Sequence, residues 1–213
     1  IAGCKHMIVR TDEPVAISPL AVSSIAGGPR AAGPHGGAAG QAWSTGLSEL
    51  DRMLDGLWPG DNIVWQIEAL DDYRSLAGPF AQSARQAGRP LVYFRFASHE
   101  PVLADDCGAQ LVRLNSAAGF EGFVTQVHRV LEATGRDAAY VFDCLSELAS
   151  IWSADQMLGN FFLLTCPRFH DWGSVAYFGL YRNYHASFAM HPVTETAEFL
   201  LDVFRHQDQR YVR

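Results

Sequence analysis

After residue 43 the spacing of hydrophobic positions switches repeatedly between strand-length apolar runs and stretches of helical period. Asn62–Glu68 (NIVWQIE) follows the turn signal Trp58-Pro59-Gly60-Asp61 and reads as a strand. Leu91–Phe96 (LVYFRF), the short Leu111–Leu114, Ala138–Phe142 (AAYVF) and Val175–Tyr181 read as further strands. Between them, Pro79–Gly88 sets Phe80, Ala84 and Ala87 on one side of a helix that stops at Gly88. Phe120, Phe123, Val124, Val127, Val130 and Leu131 recur at helical spacing up to Gly135. A third helix over 153–165 is expected to face inward through Met157, Phe161 and Leu164. Phe199–Phe204 and Tyr211–Val212 flank His-Gln-Asp-Gln and predict a terminal hairpin. The alternation predicts an α/β domain: a mostly parallel, twisted sheet flanked by helices, with a C-terminal antiparallel hairpin.

Residues 22–42 (VSSIAGGPRAAGPHGGAAGQA) carry no period and little apolar mass, so 1–42 is expected to be a flexible tail and 43–213 the domain. The chain stops on Arg213 inside a predicted strand, which suggests a piece of a longer polypeptide.

Composition narrows the function. A net charge of −7 over 213 residues argues against a general nucleic-acid binder, and no Lys/Arg run suits an anionic membrane. The densest apolar stretch, LGNFFLLTC at 158–166, falls well short of the roughly 20 residues a membrane span needs. Cys4, Cys107, Cys144 and Cys166 are scattered, which predicts reduced thiols, a cytoplasmic location and no structural zinc site. No H-x-x-x-H pair and no G-x-S-x-G elbow is present.

Ligands of such sheets bind beyond the carboxyl ends of the strands, so chemistry is sought there. Glu68-Ala69-Leu70-Asp71-Asp72-Tyr73-Arg74-Ser75 has the spacing of a phosphate-binding loop, G-x-x-x-x-G-K-[ST], without its composition. Glu68 and Tyr73 stand where glycines would let backbone N–H groups wrap a phosphate, Arg74 stands for the lysine, and only Ser75 matches. Each carboxylate beside a polyphosphate opposes it by about 1 kcal/mol even in a water-like dielectric. Because Pro79 inside a helix costs roughly 3 kcal/mol, the helix is expected to begin near Gly78, away from this loop.

Asp143, at the end of the Ala138–Phe142 strand, has the placement of a Walker-B carboxylate that orients Mg²⁺, or of a turn cap. Ser146 and Glu147 suit a helix start. Glu100, after the second strand, has the place of a general base or of a solvated loop residue. Arg182, Asn183 and His185 are ligand-sensing candidates or ordinary strand-end polar residues.

The run Ser44-Thr45-Gly46-Leu47-Ser48-Glu49-Leu50-Asp51, continued to Pro59-Gly60-Asp61, resembles the lead-in to RecA/KaiC-type ATPase domains. The likeness extends over about residues 43–213 and departs at the phosphate loop. Phrases such as PGDNIVWQI, LVYFRFASHEP and YVFDCLSELASIW are also similar to an N-terminal module of pyruvate phosphate dikinase or phosphoenolpyruvate-synthase-like proteins. The resemblance implies a RecA/P-loop NTPase-like fold with Asp143 as the Walker-B carboxylate. It implies phosphotransfer machinery elsewhere in a longer protein, and partners that are further domains, other proteins or copies of the chain.

Three functions follow. The first is a non-hydrolytic regulatory or assembly domain, with Tyr73, Trp58 and Trp152 as interface candidates, although the core is the usual place of a tryptophan. The second is a nucleotide-binding ATPase or kinase component using ATP and Mg²⁺ through Arg74, Ser75 and Asp143. The third is a domain that binds another anion or small metabolite at the same sheet edge.

Overall fold

The computed structural model describes residues 42–152, 154–207 and 209–213, and the backbone of 15–17. The elements in chain order are β1 (Val15–Ile17), α1 (Ser48–Leu54), β2 (Asn62–Ile67), α2 (Leu70–Gln86), β3 (Leu91–Arg95) and β4 (Gln110–Arg113). They continue with α3 (Gly119–Thr134), β5 (Ala139–Cys144), α4 (Ser146–Ile151), α5 (Gln156–Asp171), β6 (Val175–Tyr181), α6 (Ser187–Thr196), β7 (Phe199–His206) and β8 (Gln209–Val212). The strands form one eight-stranded sheet in the order β1-β8-β7-β2-β6-β5-β3-β4. From β7 to β4 every pairing is parallel, whereas β8 returns antiparallel to β7 and β1 antiparallel to β8. The α/β architecture with a mostly parallel sheet and a C-terminal hairpin is as the hydrophobic pattern predicts. The Gly/Ala/Pro-rich stretch read as a tail lies outside the described residues, apart from β1 and Ala42.

The central strands are apolar on both faces because helices cover both. Ile63, Trp65, Ile67, Tyr93, Val141 and Tyr177 join one buried cluster with α1 and α2. Val64, Phe94, Tyr140, Phe142, Phe178 and Leu180 join a second with α3, α5 and α6. Adjacent strands β2 and β6 are therefore followed by helices on opposite faces, which makes their carboxyl ends a topological switch point.

Two helices depart from expectation. α2 begins at Leu70, not near Gly78, and carries Pro79 in its interior. Its first turn is held by Asp72, whose carboxylate accepts the Ala69 N–H at 3.2 Å. Tyr73, Leu76, Ala77, Phe80, Ala81 and Ala84 are all buried along one face. Burying one large side chain is worth about 1.5–3 kcal/mol, so this face outweighs the cost of one proline of roughly 3 kcal/mol. Gly46, at φ +79°, lets the lead-in chain pass close against α2 at Pro79, since a Cβ there would lie 2.2 Å from the Pro79 carbonyl oxygen. The inward face of α5 is Leu158, Phe161, Phe162, Thr165, Cys166 and Phe169, while Leu164 is half exposed. The expected face through Met157 and Leu164 is rotated because the helix extends to Asp171 and packs along both α3 and α6.

Among the described residues no helix is long and apolar enough to cross a membrane, and Cys107, Cys144 and Cys166 are free thiols. Asp51 explains the lead-in motif in structural terms. Its carboxylate gathers the Thr45 N–H and hydroxyl, each at 2.7 Å, and the Ser44 hydroxyl, locking the loop onto α1.

Candidate functional site

Only Glu68 and Ala69 connect β2 to α2, so the octapeptide with phosphate-loop spacing is mostly helix. The α2 N-terminus does face this end of the sheet, contrary to the expectation of a late start, but its partial positive charge meets carboxylates of the chain itself. Asp72 is fully buried: one carboxylate oxygen accepts Arg205 Nε at 2.9 Å, Arg205 Nη2 at 2.8 Å and Arg210 Nε at 2.9 Å. Both arginines come from the terminal hairpin. An anion is thus already seated at the helix start, and it is covalently part of the helix.

Arg74, in the lysine place, pairs with Asp71 at 2.8 Å and donates Nε–H to the Pro101 carbonyl at 3.0 Å. It faces an open cavity of about 800 Å³ between α2 and the 101–107 segment, not the strand ends. The Ser75 hydroxyl donates to the Asp72 carbonyl at 2.7 Å, an ordinary in-helix bond. Tyr73 is core, not an interface residue: its ring packs on Gly179 and its hydroxyl donates to the Phe142 carbonyl at 3.0 Å. Trp152 likewise packs edge-on against Phe120 and Phe123.

Asp143 lies inside β5, one residue before its end, and is fully buried. Its oxygens accept from the Tyr93 hydroxyl, the Arg95 guanidinium, and the backbone N–H groups of Phe96 at 2.9 Å and Ala97 at 3.0 Å. Arg95 also donates to the carbonyls of Ala97 and His99, so one guanidinium ties the turn after β3 to β5. Burial, and then the neighbouring Asp143 charge, push the Tyr93 phenol far above its ordinary range, which keeps it a donor. Four protein donors thus converge on this buried carboxylate, three on one oxygen and one on the other. Glu100 is exposed on the turn after β3, while Glu147 accepts the Ser98 N–H at 2.9 Å and the Ser98 hydroxyl at 3.0 Å. Among the described residues no group of His, Cys, Asp or Glu side chains is arranged to hold a metal ion.

The polar residues after β6 divide. Arg182 is tied to Glu68 at 3.0 Å, to Asp202 at 3.5 Å and to the Val203 carbonyl. His185 joins a hydrogen-bonded chain whose members lie far apart in sequence. The Tyr181 N–H donates to Ser146 Oγ at 2.8 Å, and Oγ lies 2.7 Å from His185 Nε2. His185 Nδ1 meets Asp155, whose second oxygen accepts the Ala186 N–H at 2.6 Å. With Asp155 an acceptor, the Nδ1–H donates to it. The order is that of a serine–histidine–aspartate relay, but Ser146 is only 1% exposed and its Oγ does not reach the neighbouring cavity. An attacking oxygen needs an open approach to a carbonyl, so this relay acts as a strut between α4, the start of α5 and the β6–α6 connection. Cys144 beside it is fully buried, and that burial pushes its thiol up to about 11. Asn183 and His185 line a cavity of about 340 Å³ with Gln66, Tyr181 and residues of α6.

No protein-family profile matches the chain, and a search of curated proteins finds no relative.

Proposed function

We propose that this chain is a non-hydrolytic domain of RecA/KaiC type, serving regulation or assembly within a larger pyruvate phosphate dikinase- or phosphoenolpyruvate-synthase-like protein. The observation that carries the reading is the self-occupied phosphate position: Asp72, bonded to Arg205 and Arg210, sits where a bound phosphate would meet the α2 N-terminus. A phosphate entering there meets a buried carboxylate and must displace two arginines from it. The Walker-B candidate supports the same reading, because Asp143 is committed to Tyr93, Arg95 and two backbone N–H groups. The resemblance of the lead-in segment supplies the family, and the parallel sheet with Asp143 on a strand beside β6 is compatible with it. Fold likeness alone carries no activity.

The test is calorimetric titration of the whole chain with ATP and Mg²⁺ to millimolar concentration. No saturable heat and no thermal stabilisation are expected. Saturable, Mg²⁺-dependent binding that is lost in Arg74→Ala overturns the reading in favour of a nucleotide-binding ATPase or kinase component.

A further inference from the structure

We infer that the crevice between the carboxyl ends of β2 and β6 is a binding site for a neutral purine-type heterocycle, recognised through its ring edge and not through phosphate.

Position is the first argument. The helices after β2 and β6 leave on opposite faces of the sheet, and open α/β sheets place their ligands at such a point. The cavity of about 340 Å³ lies there, against the side of α6 that carries Ser187, Met190, His191 and Thr194. That is the small end of the range for ligand pockets and suits a bicyclic ring with little attached.

Chemistry is the second argument. The lining contains no lysine, arginine, aspartate or glutamate, and of its two histidines His185 is already engaged by Ser146 and Asp155, which leaves His191 at the edge. The lining contains two primary amides instead, Gln66 and Asn183. Among the described residues, neither side chain makes a hydrogen bond to the protein. Gln66 is the more informative. Of the two polar residues that β2 turns toward the α5–α6 face, Asn62 is bonded to Gly60, Cys166 and Glu198, whereas Gln66 points an unmatched amide into the crevice. A primary amide offers a donor and an acceptor side by side, which pairs bidentately with the adjacent acceptor and donor of a purine edge. Tyr181 and Met190 add an aromatic and a thioether surface for a flat ring, and Tyr184, 57% exposed, stands at 6.1 Å from Tyr181.

Preorganisation is the third argument. Asn183 takes the left-handed conformation at φ 56°, which fixes the turn carrying its amide. The Ser146–His185–Asp155 strut then clamps the next residues, so the β6–α6 connection is held open beside the cavity at no cost to the ligand. His185 is a positioning residue here.

The site is separate from the α2 N-terminus, and its test separates the two. The whole chain is titrated with adenosine and with guanosine, by calorimetry and by saturation-transfer NMR, with and without Mg²⁺. Saturable binding of at least one nucleoside is expected, unaffected by Mg²⁺ and by Arg74→Ala. It should weaken at least tenfold in Gln66→Leu and in Asn183→Gly, the latter chosen because glycine keeps the φ 56° turn while removing the amide. Absence of saturable binding by the folded protein, or binding that survives both substitutions, overturns the inference. Binding seen only with ATP and Mg²⁺ and abolished by Arg74→Ala overturns both this inference and the non-hydrolytic reading. Nucleoside binding that Arg74→Ala leaves intact supports the inference and leaves the non-hydrolytic reading standing.

Discussion

Asp72 and Arg205 are 133 residues apart in sequence, yet Arg205 Nη2 lies 2.8 Å from a carboxylate oxygen that no solvent reaches. This contact makes the terminal hairpin part of the α2 start. Arg210 shares the same oxygen, so either arginine alone still neutralises the buried charge. Arg205→Ala and Arg210→Ala should each lower the urea midpoint slightly, and the double variant by clearly more than their sum. Additive losses would mean that the pair does not act as one clamp. Asp72→Ala, which removes the shared acceptor and the cap on Ala69, should cost about 3 kcal/mol in the same measurement.

The second prediction concerns Gly179. A Cβ on this strand residue would sit 2.8 Å from Tyr73 Cδ1, and the ring is pinned through its hydroxyl to the Phe142 carbonyl. Gly179→Ala should therefore destabilise the fold by about 1–3 kcal/mol, despite the better strand propensity of alanine. Tyr73→Leu in that background should recover part of the loss. Chemical denaturation of the two variants checks this, and no recovery would show that the clash is relieved by backbone movement instead.

How much of this was legible follows from the range of the interactions. The strands β2, β5 and β6 were readable because buried parallel strands are continuous apolar runs, and NIVWQI and VAYFGLY carry that signal locally. The start of α2 was not readable, because the proline penalty is local whereas the reward, packing of Tyr73 and Phe80 on the sheet, is tertiary. The inward face of α5 failed for the same reason, since Leu163 and Leu164 look as apolar as Phe161 and Phe162 until two neighbouring helices choose among them. Asp143 stood out as a strand-end carboxylate, but nothing in the sequence tells that Tyr93 and Arg95, on the neighbouring strand, consume it. Ser146, Asp155 and His185 converge only through the sheet. Gln66 was the missed clue that sequence did offer: a glutamine interrupting an otherwise apolar strand marks where that strand leaves the core and borders the crevice.

Asp143 gives the third prediction. If its carboxylate is structural, its removal is read in stability and not in metal response. Asp143→Ala leaves Arg95 and the Phe96 and Ala97 N–H groups without their acceptor, and should cost about 3–5 kcal/mol. Tyr93→Phe, which removes one donor and leaves the others, should cost about 1–2 kcal/mol. Added MgCl₂ should leave the melting temperature of the wild-type chain and of Tyr93→Phe unchanged. Stabilisation of the wild type by millimolar Mg²⁺ would return Asp143 to the role of a metal-orienting carboxylate.

The last prediction is a pH dependence that starts at Glu198. Its carboxyl follows α6 and accepts from the Asn62 N–H at 2.7 Å and from the Asn62 amide at 3.0 Å. Burial raises its pKa from 4.5 to about 7, with the nearby Asp61 adding to the rise and the Asn62 bonds opposing it. The folded chain therefore holds this proton where the unfolded chain has released it. Between pH 4.5 and about 7 the native state binds more protons, so the contribution of Glu198 is full below that window and is lost as pH rises through it. Glu198→Gln keeps an oxygen for Asn62 and removes the titration. The variant should be more stable than the wild type at pH 8, by on the order of 2 kcal/mol, and nearly equal to it at pH 4.5. Thermal melts of both proteins across pH 4.5–8 measure the difference. Parallel curves over that range would place the Glu198 proton in the ordinary carboxyl range and remove this source of pH sensitivity from the fold.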